Sequence, residues 1–365
     1  MRPLYTAYTF GCIALAAFAL QGCVPRDTNL DNLNVITKPY SLHFADSAGL
    51  LYSTYDGERF NVFNTTQGSS MQSIWTSGEN IFVRFGTSAV YISESDGTYT
   101  TFNFMDKLEL NPASFGPSAM INLPGYADYG GTKQDRIYAA SNKEKGIAYN
   151  DYNGHIDSVW YYPQDDALGA VGNKVTSFAR QANGTVLAFD DASRRLWLKR
   201  DFVSLWQNTS ANGLPAAGTG QMFIITQRND ILAVMLDGGT DYGIWRSTDD
   251  GANFSKLPDI VLGGDVVKDI TSAAAPFGKV LIVGTRNNGI WRLSGQGVWE
   301  PGSIGLKKGV HINGIVAKDN VFKNERKGEY VFIATSDGIY RSDDLGQTWV
   351  RLEVPSVKPN FTALY

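Results

Sequence analysis

The chain has 365 residues, of which 43% are hydrophobic and 12% aromatic, and its formal net charge at pH 7 is −4. The 32 basic and 36 acidic residues are spread along the chain, so binding of nucleic acid or another polyanion is not expected. The 38 glycines and the many aromatic residues favour short strands and tight turns, and an all-β chain of this length is commonly one domain.

The N-terminus has the pattern of an export signal. An apolar run from Phe10 to Leu20 follows Arg2 and is too short to span a bilayer. The run leads into "LQGC", which ends at Cys23 and resembles the lipobox of bacterial lipoproteins. The resemblance implies that residues 1–22 are a lipoprotein signal peptide and that Cys23 carries the lipid that holds the protein on a membrane. An ordinary secretory peptide with a chance cysteine is the alternative.

The residues around the predicted lipidation site indicate location and domain boundaries. Val24 follows the cysteine, and by resemblance to lipoprotein sorting rules this implies the outer membrane, on its periplasmic or surface side, rather than the inner membrane. Cys12 is the other cysteine and lies in the signal peptide, so the mature body has no disulfide. Residues 23–38 are polar and aperiodic and predict a flexible tether, which leaves residues 39–365 as the folded domain.

A repeat covers the predicted folded domain. It is clearest in "GIYRSDDLGQTW", "GIWRSTDDGANF", "GIWRLSGQGVW" and "GLLYSTYDGERF", and three further segments match it more weakly. Aligned on Ser342, the seven anchors are residues 53, 93, 150, 199, 247, 293 and 342. Their mean spacing of roughly 48 residues accommodates four short strands and their turns. The sequence therefore predicts an all-β fold, a seven-bladed β-propeller of four-stranded antiparallel blades.

The ends of the repeat predict how the ring closes. Four segments of the fourth unit have the composition of strands, namely "VTSFARQ", "TVLAFDD", "RLWLKR" and "VSLWQ". The first unit lacks an equivalent of the first of these, whereas the chain ends in "NFTALY", Asn360–Tyr365, which resembles innermost strands of later units. We therefore expect the C-terminal strand to complete blade 1, which removes a sheet edge and joins the two ends of the ring.

One motif within the repeat is more specific than the rest. The pattern Ser-x-Asp-x-Gly-x-Thr-Trp resembles the Asp-box, or bacterial neuraminidase repeat (BNR), and implies a sialidase-like superfamily propeller. In such turns a carboxylate accepts bonds from turn amides, a glycine takes a positive φ and an aromatic ring fills space between blades. The matching residues are Ser342, Asp344, Gly346, Thr348 and Trp349 in one segment and Ser247, Asp249, Gly251 and Phe254 in another.

The resemblance implies a structural role for these turns, on the propeller face away from the usual ligand site. A calcium site is the alternative, but one carboxylate per turn supplies far fewer oxygens than calcium takes. The three histidines, His43, His155 and His311, have no metal-like spacing. We therefore expect neither a metal nor another cofactor.

Sialidases and other glycoside hydrolases share this repeat, which makes catalysis an alternative. A sialidase resemblance requires an Arg-Ile-Pro motif, and the nearest match here, Arg136-Ile137, is followed by tyrosine within a predicted strand. A general glycosidase needs two carboxylates roughly 5–10 Å apart, and the acidic loops offer too many candidates for the sequence to select a pair. No catalytic residue is assigned, and a glycan-binding protein or glycoside hydrolase remains the alternative function.

The lipobox, the blades and the Asp-boxes together resemble the photosystem II assembly factor, a non-catalytic propeller. This analogy implies a lipid-anchored scaffold in the cell envelope, whose partner is another envelope protein or a glycan. The irregular stretch Met105–Asp135 predicts a long loop, and such loops on a rigid scaffold often carry function. Together with the loops Asn142–Gly146 and Tyr162–Asn173 it forms the candidate binding face. Its named residues are Asp190, Asp191, Arg194, Asp237, Asp241, Arg286, Phe115, Tyr126 and Tyr129.

Overall fold

A computed structural model describes residues 42–64, 70–77, 80–85, 88–95, 98–103, 110–129, 132–142, 146–151, 160–162, 174–323, 326–356 and 358–365. The predicted signal peptide, the lipidation site Cys23 and the tether lie outside these residues, as do His155 and most of the predicted loop at 162–173. The described part contains strands and two short 3-10 turns, and no helix in it is long and apolar enough to cross a membrane.

The fold is a β-propeller of antiparallel sheets in which consecutive strands pair. We call the four-stranded sheets blades 1 to 6. The first strands are β1 (Leu42–Asp46), β2 (Leu50–Thr54), β3 (Asn61–Asn64), β4 (Ser73–Ser77), β5 (Asn80–Phe85), β6 (Ser88–Ser95), β7 (Thr98–Asn103), β8 (Met120–Tyr129), β9 (Thr132–Ala140) and β10 (Ile147–Asn150). They are followed by β11 (Ser177–Arg180), β12 (Val186–Asp190), β13 (Arg195–Lys199), β14 (Gln207–Thr209), β15 (Met222–Gln227), β16 (Asp230–Met235), β17 (Ile244–Ser247), β18 (Ser255–Lys256), β19 (Val261–Leu262) and β20 (Asp265–Val266). The last are β21 (Ile270–Ala274), β22 (Leu281–Thr285), β23 (Ile290–Leu293), β24 (Trp299–Pro301), β25 (Ile312–Lys323), β26 (Arg326–Thr335), β27 (Ile339–Ser342), β28 (Val350–Arg351) and β29 (Phe361–Leu364).

The blades follow one another around the ring. From the innermost strand outward, blade 1 is β29-β1-β2-β3, blade 2 is β4-β5-β6-β7, blade 3 is β11-β12-β13-β14, blade 4 is β15-β16-β17-β18, blade 5 is β21-β22-β23-β24 and blade 6 is β25-β26-β27-β28. The three-stranded sheet β8-β9-β10 lies between blades 2 and 3, and a small hairpin, β19-β20, connects blades 4 and 5. Each innermost strand contacts the next, and β25 contacts β29, so the ring is closed.

The predicted count of seven four-stranded blades is wrong, because the described residues form six four-stranded sheets. The third repeat forms the three-stranded sheet, in which β10 pairs with β9 and then makes a single bridge, from Tyr149 to Tyr161. The two backbone hydrogen bonds of this bridge, each 2.8 Å, take the place of a fourth strand in the described residues. The repeat anchors lie on the third strand of each sheet, so their spacing does not show whether a fourth strand follows.

The predicted closure is confirmed by the strand pairing. β29 pairs antiparallel with β1, from Phe44 opposite Leu364 to Asp46 opposite Phe361. The ring of Phe361 packs edge-on against Phe44, with centroids 5.4 Å apart, and against Tyr52 at 5.7 Å. The C-terminal strand therefore joins blade 1 through both its backbone and its side chains.

The core lies between neighbouring sheets rather than at the centre of the ring. The middle strands β1, β12 and β22 are buried along their whole length because neighbouring sheets cover both faces. One cluster joins blades 6 and 1 and includes Phe332 and Phe44, both fully buried. Burial of a phenylalanine side chain contributes roughly 1.5–3 kcal/mol, so each interface between sheets stabilises the closed ring.

One predicted strand of the fourth repeat is displaced in the structure. The segment "VSLWQ", residues 203–207, was expected to be a strand, but β14 begins at Gln207. The Asp201 carboxylate accepts hydrogen bonds from the backbone N–H groups of Val203 and Ser204, at 3.0 and 2.6 Å. This side-chain-capped turn uses the residues that β-propensity alone assigns to a strand.

The turn after β27 has the hydrogen bonds expected of its motif. Ser342 Oγ donates to Asp344 Oδ1 at 2.7 Å and accepts from the Gly346 N–H at 2.8 Å. The Asp344 carboxylate also accepts from the Thr348 N–H and hydroxyl. The Trp349 indole donates to the carbonyl oxygen of Gly302 at 2.7 Å, so this turn of blade 6 is attached to the end of blade 5.

The turn after β17 repeats this arrangement. Ser247 Oγ donates to Asp249 Oδ1 and accepts from the Gly251 N–H, while Asp249 accepts from Asn253. The aromatic position is the buried Phe254, whose N–H donates to the carbonyl oxygen of Asn212 in the connection from blade 3. Both turns thus attach a blade to the preceding one.

A third turn of this kind follows β2 and differs from the sequence alignment by one residue. The alignment placed its anchor at Ser53, whereas Thr54 Oγ1 accepts from the Gly57 N–H at 2.9 Å. Asp56 accepts from the N–H groups of Glu58 and Arg59, each at 2.8 Å. The serine motif does not identify this turn because threonine and a shorter spacing replace it.

Candidate functional site

Strand direction divides the loops between two faces of the ring. Because the strands of each blade alternate in direction, the loops between second and third strands share one face with the connections between blades. We call this the upper face. The turns between first and second strands and between third and fourth strands lie on the other side, the lower face. The motif turns after β17 and β27 therefore lie on the lower face, away from most of the predicted binding residues.

An open cleft of about 410 Å³ lies on the upper face between blades 4 and 5. Its size is within the range of small-molecule and peptide-binding clefts. Six of its nine lining residues are polar or charged, with carboxylates from three different segments, the Lys268 ammonium and two amide side chains, and apolar residues of the β19-β20 hairpin and Val267 complete it. The lining residues used below are Asp237, Leu262, Asp265, Asp269, Asn287 and Asn288.

An ion pair links the two blades at this cleft. Arg286 Nε, in the loop after β22, donates to Asp237 Oδ2, in the loop after β16, at 2.6 Å. The Asp237 N–H donates to the carbonyl oxygen of Ile270 and the Arg286 N–H to that of Asp269. Exposed ion pairs contribute little energy on their own, so the backbone hydrogen bonds carry more of the positioning.

The Asp269 carboxylate holds the far wall of the cleft. It accepts hydrogen bonds from the Asn287 N–H at 2.7 Å and from the Asn288 side-chain amide at 2.8 Å. Asn288 also donates its N–H to Thr285 Oγ1, which closes the loop after β22. The wall is therefore fixed before any ligand binds, which reduces the entropy cost of binding.

The hairpin beside the cleft presents apolar side chains to solvent. Val261 and Leu262 are 51% and 50% exposed, although they belong to a strand. Gly263 and Gly264 form the turn with φ values of +62° and +98°, which residues with a Cβ rarely adopt. An apolar patch at the edge of a polar cleft is typical of a contact surface for another molecule.

Most of this site was not predicted from the sequence. The predicted binding face included Asp237 and Arg286 but not Leu262, Asp265 or Asp269. The signal was present in "VLGGDV", residues 261–266, where two glycines separate apolar residues as in a two-residue hairpin. The repeat period hid this hairpin because it lies in a connection between blades.

Three of the predicted residues come together on the upper face between blades 3 and 4, at the end of β12 and in the loop after it. The Arg194 guanidinium pairs with the Asp191 carboxylate and donates to the carbonyl oxygen of Gly220 at 2.9 Å. Burial lowers the pKa of Arg194, while the charges of Asp241 and Asp190 raise it by less. Asp190 itself accepts from Ser193 Oγ at 2.7 Å. These charged side chains hold the loop together. The negative charge of Asp241, in the loop after β16, also acts on the Arg194 guanidinium.

Phe115, predicted for the binding face, packs against other residues of the protein. Its ring stacks on Phe223, with centroids 4.0 Å apart, and its N–H donates to the carbonyl oxygen of Thr176. It therefore joins the connection before β8 to the innermost strand of blade 4, and it is partly buried rather than displayed on a rim.

The predicted long loop Met105–Asp135 is wrong for its second half, which forms the hairpin of β8 and β9. The two strands pair as far as Tyr129 opposite Thr132, with an irregular register between Leu123 and Ala127. Pro124 and Gly125 interrupt the alternation there, so the sequence resembles a loop. Tyr126 and Tyr129 consequently lie toward the lower face, on the opposite side from the other predicted residues.

Tyr126 belongs to an aromatic group around a buried ion pair. Arg136 bonds both carboxylate oxygens of Asp151, with Nη2 to Oδ2 at 2.6 Å, and its guanidinium carbon lies 4.3 Å from the ring centroid of Tyr149 and 4.5 Å from that of Phe202. Burial lowers the pKa of Arg136, but the bonds to Asp151 and Tyr138 outweigh it and raise the pKa. The Arg136 guanidinium therefore has its counter-ion within the protein, and its contact with Phe202 links the three-stranded sheet to blade 3.

Hydrogen bonds lower the pKa of four described carboxyl groups: Asp201, Asp249, Asp337 and Asp344. A glycosidase acid needs the opposite shift. His311 lies on the upper face, and burial, followed by the charge of Arg286, lowers its pKa. The described residues contain no group of three or more His, Cys, Asp or Glu side chains arranged to hold a metal ion.

Comparison with known proteins identifies distant relatives. No family model matches the chain. A xyloglucanase from a Paenibacillus species is 24% identical over 271 residues, which are 70% of this chain and 23% of the xyloglucanase. The chain thus spans less than a quarter of that enzyme.

Among solved structures, the chain is similar to PorZ, an essential bacterial surface component of the type-IX secretion system of Porphyromonas gingivalis. The identity is 14%, the match covers 86% of this chain and 48% of PorZ, and the TM-score is 0.52. The extracellular domain of BT4673 from B. thetaiotaomicron matches 91% of this chain and 36% of its own length, at 13% identity and a TM-score of 0.46. YCF48 from Cyanidioschyzon merolae matches 79% and 86%, at 12% identity and a TM-score of 0.46. The similarity to PorZ supports the β-propeller fold and nothing further.

Proposed function

We propose that the protein is a non-catalytic scaffold of the bacterial envelope that holds a partner protein on its upper face. The observation that carries the proposal is the exposed apolar hairpin, Val261 and Leu262, at the edge of an open polar cleft whose walls are already fixed. Binding surfaces commonly combine an apolar contact with a polar surround. Asp237 is paired with Arg286 and Lys268 also lines the cleft, so the cleft offers charges of both signs beside its apolar hairpin and suits a partner segment with polar and apolar side chains.

The attachment to the envelope is part of the proposal. The lipobox-like "LQGC" supports lipidation of Cys23, and the polar segment 23–38 supplies a tether of sufficient length to separate the ring from the membrane. The hydrogen bonds of the turns after β17 and β27 support their assignment as structural Asp-boxes on the lower face. PorZ, which shares the fold, is a bacterial surface component of a secretion system. This analogy supports the proposed envelope location, and Val24 after the cysteine supports the proposed attachment to the outer membrane.

The scaffold proposal is tested by comparing captures from the native envelope. The variant Val261→Asp/Leu262→Asp places charge on the hairpin, and Val298→Asp is the control, because Val298 is 56% exposed in blade 5 but lies on the lower face. We expect one protein to co-purify with the wild type and the control and to be lost with the hairpin variant. Equal recovery with all three would contradict the proposal.

A glycan is the second candidate ligand, because the sequence relative is a xyloglucanase. Asp269 with Asn287 and Asn288 offers the acceptors and donors that bind sugar hydroxyls. The test is binding and hydrolysis of xyloglucan oligosaccharides by the purified protein. Binding that is lost with Asn288→Ala, together with an unchanged protein capture profile, would favour the glycan over the protein partner.

A further inference from the structure

The lower face presents aliphatic side chains to solvent at the turns between third and fourth strands. Val203 and Leu205, in the turn after β13 of blade 3, are 82% and 65% exposed. Val298, in the turn after β23 of blade 5, and Val350, where β28 of blade 6 begins, are each more than half exposed. We call these four side chains the lower apolar residues. They occupy equivalent places in three different blades.

The turn of blade 3 holds its two apolar side chains outward. The Asp201 carboxylate accepts the Val203 N–H at 3.0 Å and so fixes the backbone of the turn. Phe202, between them, packs onto the protein, with its ring centroid 4.5 Å from the guanidinium carbon of Arg136. Because these contacts fix the turn, Val203 and Leu205 leave water only when another molecule covers them.

The first strand of the described domain also starts on the lower face. β29 runs from the upper to the lower face, and β1, which pairs with it antiparallel, therefore starts at the lower face with Leu42. The segment between Cys23 and Leu42 is the tether proposed above, and a flexible tether of this length has a mean span of roughly 24 Å. A lipid on Cys23 would thus hold the lower face close to the bilayer, where the high local concentration makes weak contacts sufficient.

The distribution of the lower apolar residues favours an extended surface over a single partner segment. They belong to blades 3, 5 and 6, whereas the hairpin at the cleft is one compact patch, and a bilayer can contact separate blades at once. The exposed charges of the lower face have both signs: Arg180 and Arg228 lie near the ring centre, and Asp201 and Asp343 lie in the outer turns. Such a face does not select anionic lipids and suits zwitterionic headgroups.

We propose that the lower face rests on the zwitterionic lipid surface of the membrane to which the chain is anchored, with the lower apolar residues in the headgroup region. Apolar side chains that enter this region strengthen membrane binding in proportion to the apolar area they bury. The inference rests on the proposed lipid attachment of Cys23 and adds an orientation to it. The upper cleft then opens away from the membrane, and its partner approaches from the aqueous side.

The test measures which side chains reach the lipid. The mature chain, which has no cysteine besides Cys23, is coupled through that residue to a maleimide lipid in vesicles of phosphatidylethanolamine and phosphatidylcholine. A fluorescent amino acid is placed at position 205 or 298 on the lower face, or at position 262 on the upper hairpin. We expect lipids with a spin label near the headgroup to quench the fluorescence at 205 and 298 but not at 262. No quenching at either lower position, or equal quenching at 262, would overturn the proposal.

Paired variants test whether the apolar side chains make the contact. Val203→Ser/Leu205→Ser removes two lower apolar residues, and Val261→Ser/Leu262→Ser removes two exposed apolar residues from the upper hairpin as a control. With the fluorescent residue at position 298, we expect weaker quenching for the first variant and unchanged quenching for the second. Equal quenching for both would contradict the proposal. Flotation of the native protein with envelope membranes tests the lipid anchor itself, and the chemical coupling does not need that anchor, so the two failures are distinguishable.

Discussion

Tyr365 and His43 exchange two backbone hydrogen bonds, of 2.8 and 2.9 Å, and thereby join the last residue of the chain to the first described strand. Both lie in blade 1, whose four strands come from opposite ends of the sequence. The ring is therefore held closed by hydrogen bonds and side-chain packing within one blade rather than by a disulfide.

Removal of residues 360–365 should destabilise the whole fold. The deletion removes β29, opens an edge on β1 and exposes Phe44 and Tyr52, which pack against Phe361. We expect a single unfolding transition at a clearly lower temperature in differential scanning calorimetry. The milder variant Phe361→Ala should lose about 3–5 kcal/mol of stability. A truncated protein with an unchanged melting temperature would show that the closure is not stabilising.

The Trp349 indole should stabilise the fold through the hydrogen bond of its N–H as well as through the packing of its ring. Trp349→Phe keeps an aromatic ring but removes the bond to the Gly302 carbonyl oxygen, which is 2.7 Å long and buried. We expect a loss of about 1–3 kcal/mol in urea unfolding, because the carbonyl oxygen is left without its partner. Val350→Ala is a control on the exposed neighbour, with little expected effect. Equal stability of both variants would mean that the bond does not hold blades 5 and 6 together.

Protonation of the Asp249 carboxylate should make the protein less stable in acid. Hydrogen bonds from Asn253 and Ser247 lower its pKa to about 2, so the folded state favours the carboxylate. This stabilisation is complete above the ordinary carboxyl pKa of roughly 4 and is lost as the pH falls through about 2. Asp249→Asn should therefore show a flatter stability profile between these pH values in chemical denaturation, whereas Asp343→Asn, on an exposed residue, should not. Identical profiles for Asp249→Asn and the wild type would contradict this role.

Replacing only one residue of the buried Arg136–Asp151 ion pair should strongly destabilise the protein. Asp151→Asn leaves the guanidinium without its counter-ion among aromatic rings, and we expect a loss of about 3–5 kcal/mol in urea unfolding. Replacing both residues, as Arg136→Met/Asp151→Leu, should recover much of this, because no buried charge remains. A double variant less stable than Asp151→Asn would indicate that the pair itself, rather than the unpaired charge, carries the stability.

The sequence predicts the propeller because its strands and turns repeat at nearly constant spacing. The C-terminal strand was also predictable, since "NFTALY" has the composition of an innermost strand and the first unit lacks one. That the described part of the third repeat has three strands and a single bridge was not predictable, because the anchor around Asn150 marks only the third strand. The position of Tyr126 was misjudged because Pro124 and Gly125 hide a strand pairing that depends on distant residues.

The candidate site was predictable only in part. Loop position alone identified Asp237 and Arg286, because both follow second strands and therefore share the upper face. Their pairing at 2.6 Å, and the contribution of Asp269, depend on how blades 4 and 5 face one another. No local pattern in the sequence encodes that relationship.

The most direct test of the scaffold proposal is site-specific photo-cross-linking in the native envelope. A photoreactive amino acid is placed at position 262 on the upper hairpin or at position 298 on the lower face of the neighbouring blade. We expect one discrete protein adduct from position 262 and none of the same size from position 298. No adduct at position 262, or the same adduct from both positions, would contradict partner binding at the upper cleft.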